Sequence, residues 1–328
     1  MRKQWKAAAA LFAALAVAGL VLSGCSATPP ASTTGSTSTA PAAEKGPIRV
    51  GSKIDGEGAL LGQIILQTLQ ANGFTVEDKT RTGATKVVRQ ALVDKQIDIY
   101  PEYTANGPLT FHSDVPVDPS VLQSATLTYD TAKSEDASIG IVWLQPSPAN
   151  NTWAVALPKA FADSNNLKSM TDLAAYINKG GTFKIVGSQE FFTSAAAFPA
   201  FEKAYGFKTK PTQQIALATG DTAVTEKAAA TGSQGANAAM AYGTDGTISA
   251  LNLVVLEDPK GAQPVYQPAP TILQSIADKY PEIATILNPV FAKLDFATLQ
   301  GLNKSVGVDG KAPKDVAAEW LKAQGIVK

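Results

Sequence analysis

From Ile48 onward the apolar positions change period in a regular way. "IRV" (Ile48 to Val50) alternates and predicts a short strand. Leu60, Leu61, Ile64, Ile65 and Leu69 then recur at helical spacing until Asn72-Gly73 stops the run. "FTVED" returns to alternation, Thr85 stands where it can cap a helix carrying Val87, Val88, Ala91 and Leu92, and "IDIY" (Ile97 to Tyr100) predicts a third strand. Strands alternating with helices of this length predict an α/β fold whose mainly parallel sheet is covered on both faces.

A second round begins near Phe183. "IRVGSK" (Ile48 to Lys53) is answered by "FKIVGSQE" (Phe183 to Glu190), and "YTANG" (Tyr103 to Gly107) by "YGTDG" (Tyr242 to Gly246). Similar separations between the paired motifs predict two lobes of like construction. Ligands of open α/β sheets sit beyond the carboxyl ends of the strands, where all four motifs fall, so two facing lobes would form a cleft. "IGIVWLQPSPANNTWAVAL" (Ile139 to Leu157) reads as a connector between lobes, "LNLVVLEDP" as a returning strand, and Pro270 to Lys328 as mostly helical. The expected division is residues 48–150 plus 247–328 for lobe 1 and 151–246 for lobe 2.

The N-terminus changes the picture from a plain globule to an exported one. "MRKQWK" is a positive segment, Ala7 to Val21 is apolar, and "LSGC" follows, which makes residues 1–25 a secretory signal. "LSGC" resembles the lipobox of bacterial lipoproteins, which implies that Cys25 is lipidated and tethers the chain to a bilayer outside the cytoplasm. Cys25 is the only cysteine, so the folded part has no disulfide and no thiolate. Residues 26–47, dominated by Ser, Thr, Pro, Ala and Gly, are too poor in apolar groups to fold and predict a flexible tether. The 328 residues are 45% hydrophobic with a formal net charge of zero. Charges spread evenly along such a chain offer no basic face for nucleic acid.

Candidate chemistry narrows by exclusion. His112 is the only histidine, read as a loop residue, which removes histidine-bearing metal clusters and leaves no G-x-S-x-G elbow to make a triad. "GSKIDGEG" (Gly51 to Gly58) lacks the order of a P-loop or dinucleotide site, and the carboxylates of Asp55, Glu57 and "SEDAS" read as a solvated surface. What remains is aromatic. Tyr100 and Trp143 lie within apolar strands and are expected in the core. Tyr103, Trp153 and Tyr242 each stand beside small or polar residues, the setting of rings that face a ligand. Converging rings attract a cation at about 2 kcal/mol or more per desolvated contact. They suit a quaternary ammonium, which has no N–H for a site to grip. Lys53, after the first Gly-Ser turn, is the candidate for a charge-assisted contact to a ligand carboxylate.

"VGSKIDGEG", "GATKVVRQAL", "IDIYPEYTANG", "NNTWAVAL", "GSQEFF" and "MAYGTDG" together resemble the substrate-binding proteins of osmoprotectant ABC importers, from about Ile48 to Lys328. The subgroup most similar is that of low-affinity, stress-induced betaine-binding proteins. The resemblance implies a type II periplasmic-binding fold, two α/β lobes joined by two crossover segments. It further implies a non-enzymatic, cofactor-free monomer that passes glycine betaine, choline or a relative to an ABC permease with its cytoplasmic ATPase. By motif it places Lys53, Tyr103, Asn106, Trp153 and Tyr242 at the ligand. Ser194 stands where the family often carries an arginine for the ligand carboxylate, and Ala105 replaces a glycine. An amino acid or polar osmolyte as cargo is the alternative. A secreted hydrolase using Glu57 or Glu102 as an acid is the reading from another class.

Overall fold

A computed structural model describes residues 45–218 and 221–327. The signal segment, Cys25 and nearly all of the tether lie outside the described residues. The first strand, β1 (Lys45–Lys53), starts three residues before Ile48, taking in the end of the expected tether, and the Gly46 N–H donates to the Tyr280 hydroxyl at 3.0 Å.

Among the described residues, ten strands make two five-stranded sheets. The first contains β1, β2 (Phe74–Gly83), β3 (Ile99–Tyr103), β4 (Ile141–Trp143) and β10 (Pro268–Leu273), in the order β2-β1-β3-β10-β4. The second contains β5 (Trp153–Pro158), β6 (Ile185–Ser188), β7 (Gln214–Leu217), β8 (Ala238–Tyr242) and β9 (Leu253–Val255), in the order β7-β6-β8-β5-β9. In each sheet four strands run in one direction and a single strand, β10 in the first and β5 in the second, runs antiparallel between two of them. The sheets are therefore mainly parallel, as expected, and mixed by one reversed strand, because each receives one strand from a segment that has just crossed from the other. The equivalence is complete: β1 corresponds to β6, β2 to β7, β3 to β8, β10 to β5 and β4 to β9. The two Val-Gly-Ser turns end β1 and β6, and the two Tyr-x-x-Asn/Asp-Gly motifs end β3 and β8, as the internal similarity predicts.

The helix Gly56–Ala71 explains the weight of the first core. Apolar on almost every side, it buries Leu60, Leu61, Ile64, Ile65 and Leu69 against β1, β3 and the C-terminal helices, which supply Ile283, Leu287, Phe291, Leu299 and Leu321. Each such side chain contributes on the order of 2 kcal/mol by leaving water. The second core is aromatic: Phe183, Phe191, Phe198, Phe201 and Phe207 pack beneath β5, β6 and β8. Tyr100 and Trp143 are buried, as expected.

Two crossings join the sheets. One runs from β4 to β5; the other runs from β9 to β10. Because β9 pairs with β5, the return crossing falls between Val255 and Pro268 and not near residue 247, where the sequence reading divides the lobes. The crossings are laced together: the Asn151 N–H donates to the Tyr266 carbonyl at 2.9 Å, and the Tyr266 N–H to the Asn150 side chain at 2.8 Å. This pairing fixes residues of both crossings beside the ends of β3 and β8.

Candidate functional site

"IDIYPEYTANG" forms the floor of the first half-site. All five residues of β3 are buried, and Glu102, wholly enclosed, collects charge-assisted bonds that shape the turn. It accepts from the Tyr100 hydroxyl at 2.9 Å, the Tyr103 N–H at 2.7 Å and the Asn106 amide at 2.8 Å, and pairs with the Lys53 ammonium at 2.8 Å. Lys53 also donates to the Thr85 hydroxyl at 2.8 Å and lies 5.1 Å from the centre of the Tyr103 ring. Its ammonium thus supports Tyr103, and Lys53 is not among the residues lining the cavity.

Glu57, read from the sequence as solvated, is 8% exposed and is the hub of the site. It enters there because Asp55 caps the Gly56–Ala71 helix, accepting from the Gly58 N–H at 2.7 Å, and so turns the first helical residues toward the cleft. One Glu57 oxygen accepts from the Tyr103 hydroxyl at 2.6 Å and the Asn151 amide at 3.0 Å; the other accepts from the Thr244 hydroxyl at 2.6 Å and the Asn303 amide. These donors belong to β3, the first crossing, the loop after β8 and the helix Phe296–Gly307, so one carboxylate ties both sheets and a crossing together. Burial raises its pKa above the ordinary carboxylate range, while the donors from Thr244, Tyr103 and Asn303 pull it back part-way.

The second half-site is built from β5 and β8. Trp153 and Tyr242 are direct antiparallel partners, their rings stacked at 6.3 Å and 24°, and Phe191 meets Trp153 edge-on at 6.0 Å from below. The Asp245 carboxylate accepts from the Tyr242 N–H at 2.7 Å, which holds the Tyr-Gly-Thr-Asp turn shut.

A cavity of about 750 Å³ opens between the two half-sites. Tyr103, Asn106, Trp153 and Tyr242, all expected at a ligand, line it together, and Tyr266 from the return crossing adds a fourth ring. Burial pushes the Tyr266 phenol up to about 12, so it stays neutral. Among the described residues, the charged ones in the lining are Asp55, Glu57, Asp221 and Asp245. His112 lies elsewhere, its ring 2.8 Å from Asp136, a buried carboxylate that also accepts from Arg89 and from the Trp143 indole. Sequence reasoning reads Glu57 as solvated and passes over Tyr266. The repeat itself was a usable signal for Tyr266, since β10, which it precedes, holds the place of β5, which Trp153 begins.

Residues 46–323 match the family model described as the substrate binding domain of ABC-type glycine betaine transport system. The chain belongs to that family. Among its curated relatives, the glycine betaine-binding protein YehZ of Escherichia coli (strain K12) is 50% identical over 283 residues, 86% of this chain and 92% of YehZ. A glycine-betaine-binding protein of Pseudomonas aeruginosa is 30% identical, covering 84% of this chain and 87% of that one. The ligand-free structure of Escherichia coli YehZ superposes with a TM-score of 0.80, covering 86% of this chain and 99% of that one. The substrate-binding family of these importers works outside the cytoplasm, and its fold, two mixed sheets bearing helices, is the one seen here.

Proposed function

We propose that this protein is a non-enzymatic receptor that holds a quaternary-ammonium solute, glycine betaine, choline or a relative, between its two sheets and passes it to an ABC permease. The observation that carries the reading is the convergence of Tyr103, Trp153, Tyr242 and Tyr266 on one cavity whose charged walls are acidic. Ring faces and carboxylates are the two kinds of group that attract a cation lacking N–H donors. The cavity lies in the range of small-molecule sites and exceeds what a trimethylammonium solute fills, which suits a cleft that tightens around its cargo. The two laced crossings supply the hinge for that motion.

Within this reading Tyr103 takes the cation on the ring face opposite Lys53. Lys53 acts through Tyr103 rather than on the ligand, with Glu102 cancelling its charge so that the ring still presents a negative face. Asn106 positions the turn. A hydrolase is disfavoured because Glu57 and Glu102 are each occupied by four neighbours, leaving neither placed as a mobile acid. The export signal and Cys25 support a lipid anchor and a monomer tethered outside the membrane; among the described residues no helix is long and apolar enough to cross one.

Calorimetry with glycine betaine, choline and carnitine, together with mass spectrometry of solute retained on purification, tests the proposal. Saturable binding that weakens when the rings are removed is the expected result. No heat from any of the three at millimolar ligand, with a retained solute lacking a quaternary nitrogen, sinks it.

A further inference from the structure

Among the described residues, most buried carboxylates stand against a cation. Asp98 pairs with Arg49 at 2.6 Å, Glu102 with Lys53 at 2.8 Å, Asp136 with Arg89 at 2.8 Å, and Glu202 with Lys208. The exceptions are Glu226 and Glu57. Glu226, on the helix Thr222–Ala230, takes no hydrogen bond of ordinary geometry on either oxygen, and burial pushes it up to about 9, so it is neutral at neutral pH.

Glu57 is held in the opposite way. Both of its oxygens are filled by donors, two hydroxyls and two amides, which are the surroundings that keep a buried carboxylate ionised. All four are neutral, so they orient the charge without cancelling it. Burial holds its pKa up, and the charge acting on it is that of a second acid, Asp55. A raised pKa in a fully bonded carboxylate is the mark of an anion that lacks a cation.

The vacant place for a cation is in the cavity. Glu57 lines it with Tyr103, Trp153 and Tyr242, and its carboxylate meets the rim of the Tyr103 ring through the hydroxyl, at 2.6 Å. A cation held within about 6 Å of that ring centre is therefore a near neighbour of the carboxylate. Lys53, 5.1 Å from the same ring, does not fill the role, because it is paired with Glu102 and lies outside the lining.

We propose that Glu57 is the counter-charge for the quaternary nitrogen of the cargo, so that the site reads the charge of the trimethylammonium head and not its shape alone. This rests on the reading of the cavity as the cargo site. The head is common to glycine betaine, choline and carnitine, so Glu57 acts on all three and sets no condition on their other ends. Its donors come from β3, a crossing, the loop after β8 and the helix Phe296–Gly307, so the carboxylate is fixed from several sides and needs no rearrangement when the cargo arrives.

The probes are choline, glycine betaine and dimethylbutanol, the choline isostere in which carbon replaces the nitrogen. Calorimetry reads the first two, and ligand-detected NMR titration reads the third. Glu57→Gln keeps the size and removes the charge, and is expected to weaken choline and glycine betaine about ten-fold or more while dimethylbutanol changes less than about three-fold. Glu57→Asp keeps the charge and shortens the reach to the four donors, and is expected to bind choline more tightly than Glu57→Gln does, even where its stability is lower. A hub that only ties the walls together gives the reverse order, since glutamine preserves the shape and aspartate does not. Equal losses of choline and dimethylbutanol in Glu57→Gln, or choline bound no better by Glu57→Asp than by Glu57→Gln, overturn the inference and leave the aromatic cage standing. Where Glu57→Gln does not fold, Glu57→Asp decides alone: choline within about ten-fold of wild type supports the inference and a larger loss overturns it. Failure of choline and glycine betaine alike to bind the wild-type protein overturns the cage and this inference together.

Discussion

Replacing Tyr103 separates the two jobs its side chain holds. The hydroxyl donates at 2.6 Å to the buried Glu57 carboxylate, and the ring faces the cavity. Tyr103→Phe deletes the first and keeps the second. A hydrogen bond to a charged group contributes about 1.5–3 kcal/mol to stability, and Glu57 retains three other donors, so a loss near the lower end, about 1.5–2 kcal/mol, is expected. Affinity for a quaternary-ammonium solute should change only a few-fold. Tyr103→Ala removes the ring as well, losing about 2 kcal/mol or more of cation–π attraction, which is roughly a thirty-fold weakening. Urea denaturation gives the stabilities and titration calorimetry the affinities. Tyr103→Phe and Tyr103→Ala weakening the ligand equally would refute the reasoning, because the phenol hydroxyl and not the ring face would then be what the site uses.

Three further outcomes follow from buried groups and close contacts. The Glu226–Asp245 pair keeps a proton in the folded state at pH values where the unfolded chain has lost it, so stability falls as pH rises from about 5 to about 9, at up to about 1.4 kcal/mol per unit for one proton. Glu226→Gln should flatten that fall in denaturation measured at pH 5, 7 and 9, and parallel curves for the two proteins would contradict it. Lys53→Met leaves Glu102 buried without its cation and should cost about 3–5 kcal/mol, most of it recovered in the double variant Lys53→Met/Glu102→Gln; an unrecovered loss would mean that Lys53 matters for packing alone. Gly246→Ala places a Cβ 2.1 Å from the Lys304 backbone nitrogen, where backbone must move, and should destabilise by about 1–3 kcal/mol with faster amide exchange along Phe296–Gly307.

The sequence was most readable where function and local pattern coincide. Tyr103, Trp153 and Tyr242 stand among small or polar neighbours because a ring facing a cleft cannot be packed on all sides, and that contrast is visible without coordinates. The two-fold construction was readable for the same local reason, since a strand ending in Val-Gly-Ser is a short-range feature. The antiparallel additions were not, because β5 and β10 join sheets far from their sequence neighbours. Glu57 was misread as solvated because its turn looks like any Gly-rich helix start, and its four donors come from places up to residue 303. Lys53 was expected to meet the ligand, yet it does not line the cavity and its ammonium points to a carboxylate 49 residues on, which no local pattern announces.

The repeat also explains why the two half-sites differ in charge. Asn106 and Asp245 hold the same place in Tyr-x-x-Asn/Asp-Gly, each three residues after a tyrosine that lines the cavity and each lining it too. In the first half-site the neighbour is Glu102, paired with the Lys53 ammonium, and Asn106 donates to it at 2.8 Å. An aspartate there would lose that donor and set two carboxylates together with one cation between them. In the second half-site the neighbour is Glu226, which has no lysine and resolves the same conflict by keeping a proton. The same turn is thus held once by an amide beside an ammonium-paired carboxylate and once by Asp245 accepting from the Tyr242 N–H, with the buried carboxyl of Glu226 pushed up to about 9 and so kept protonated at neutral pH.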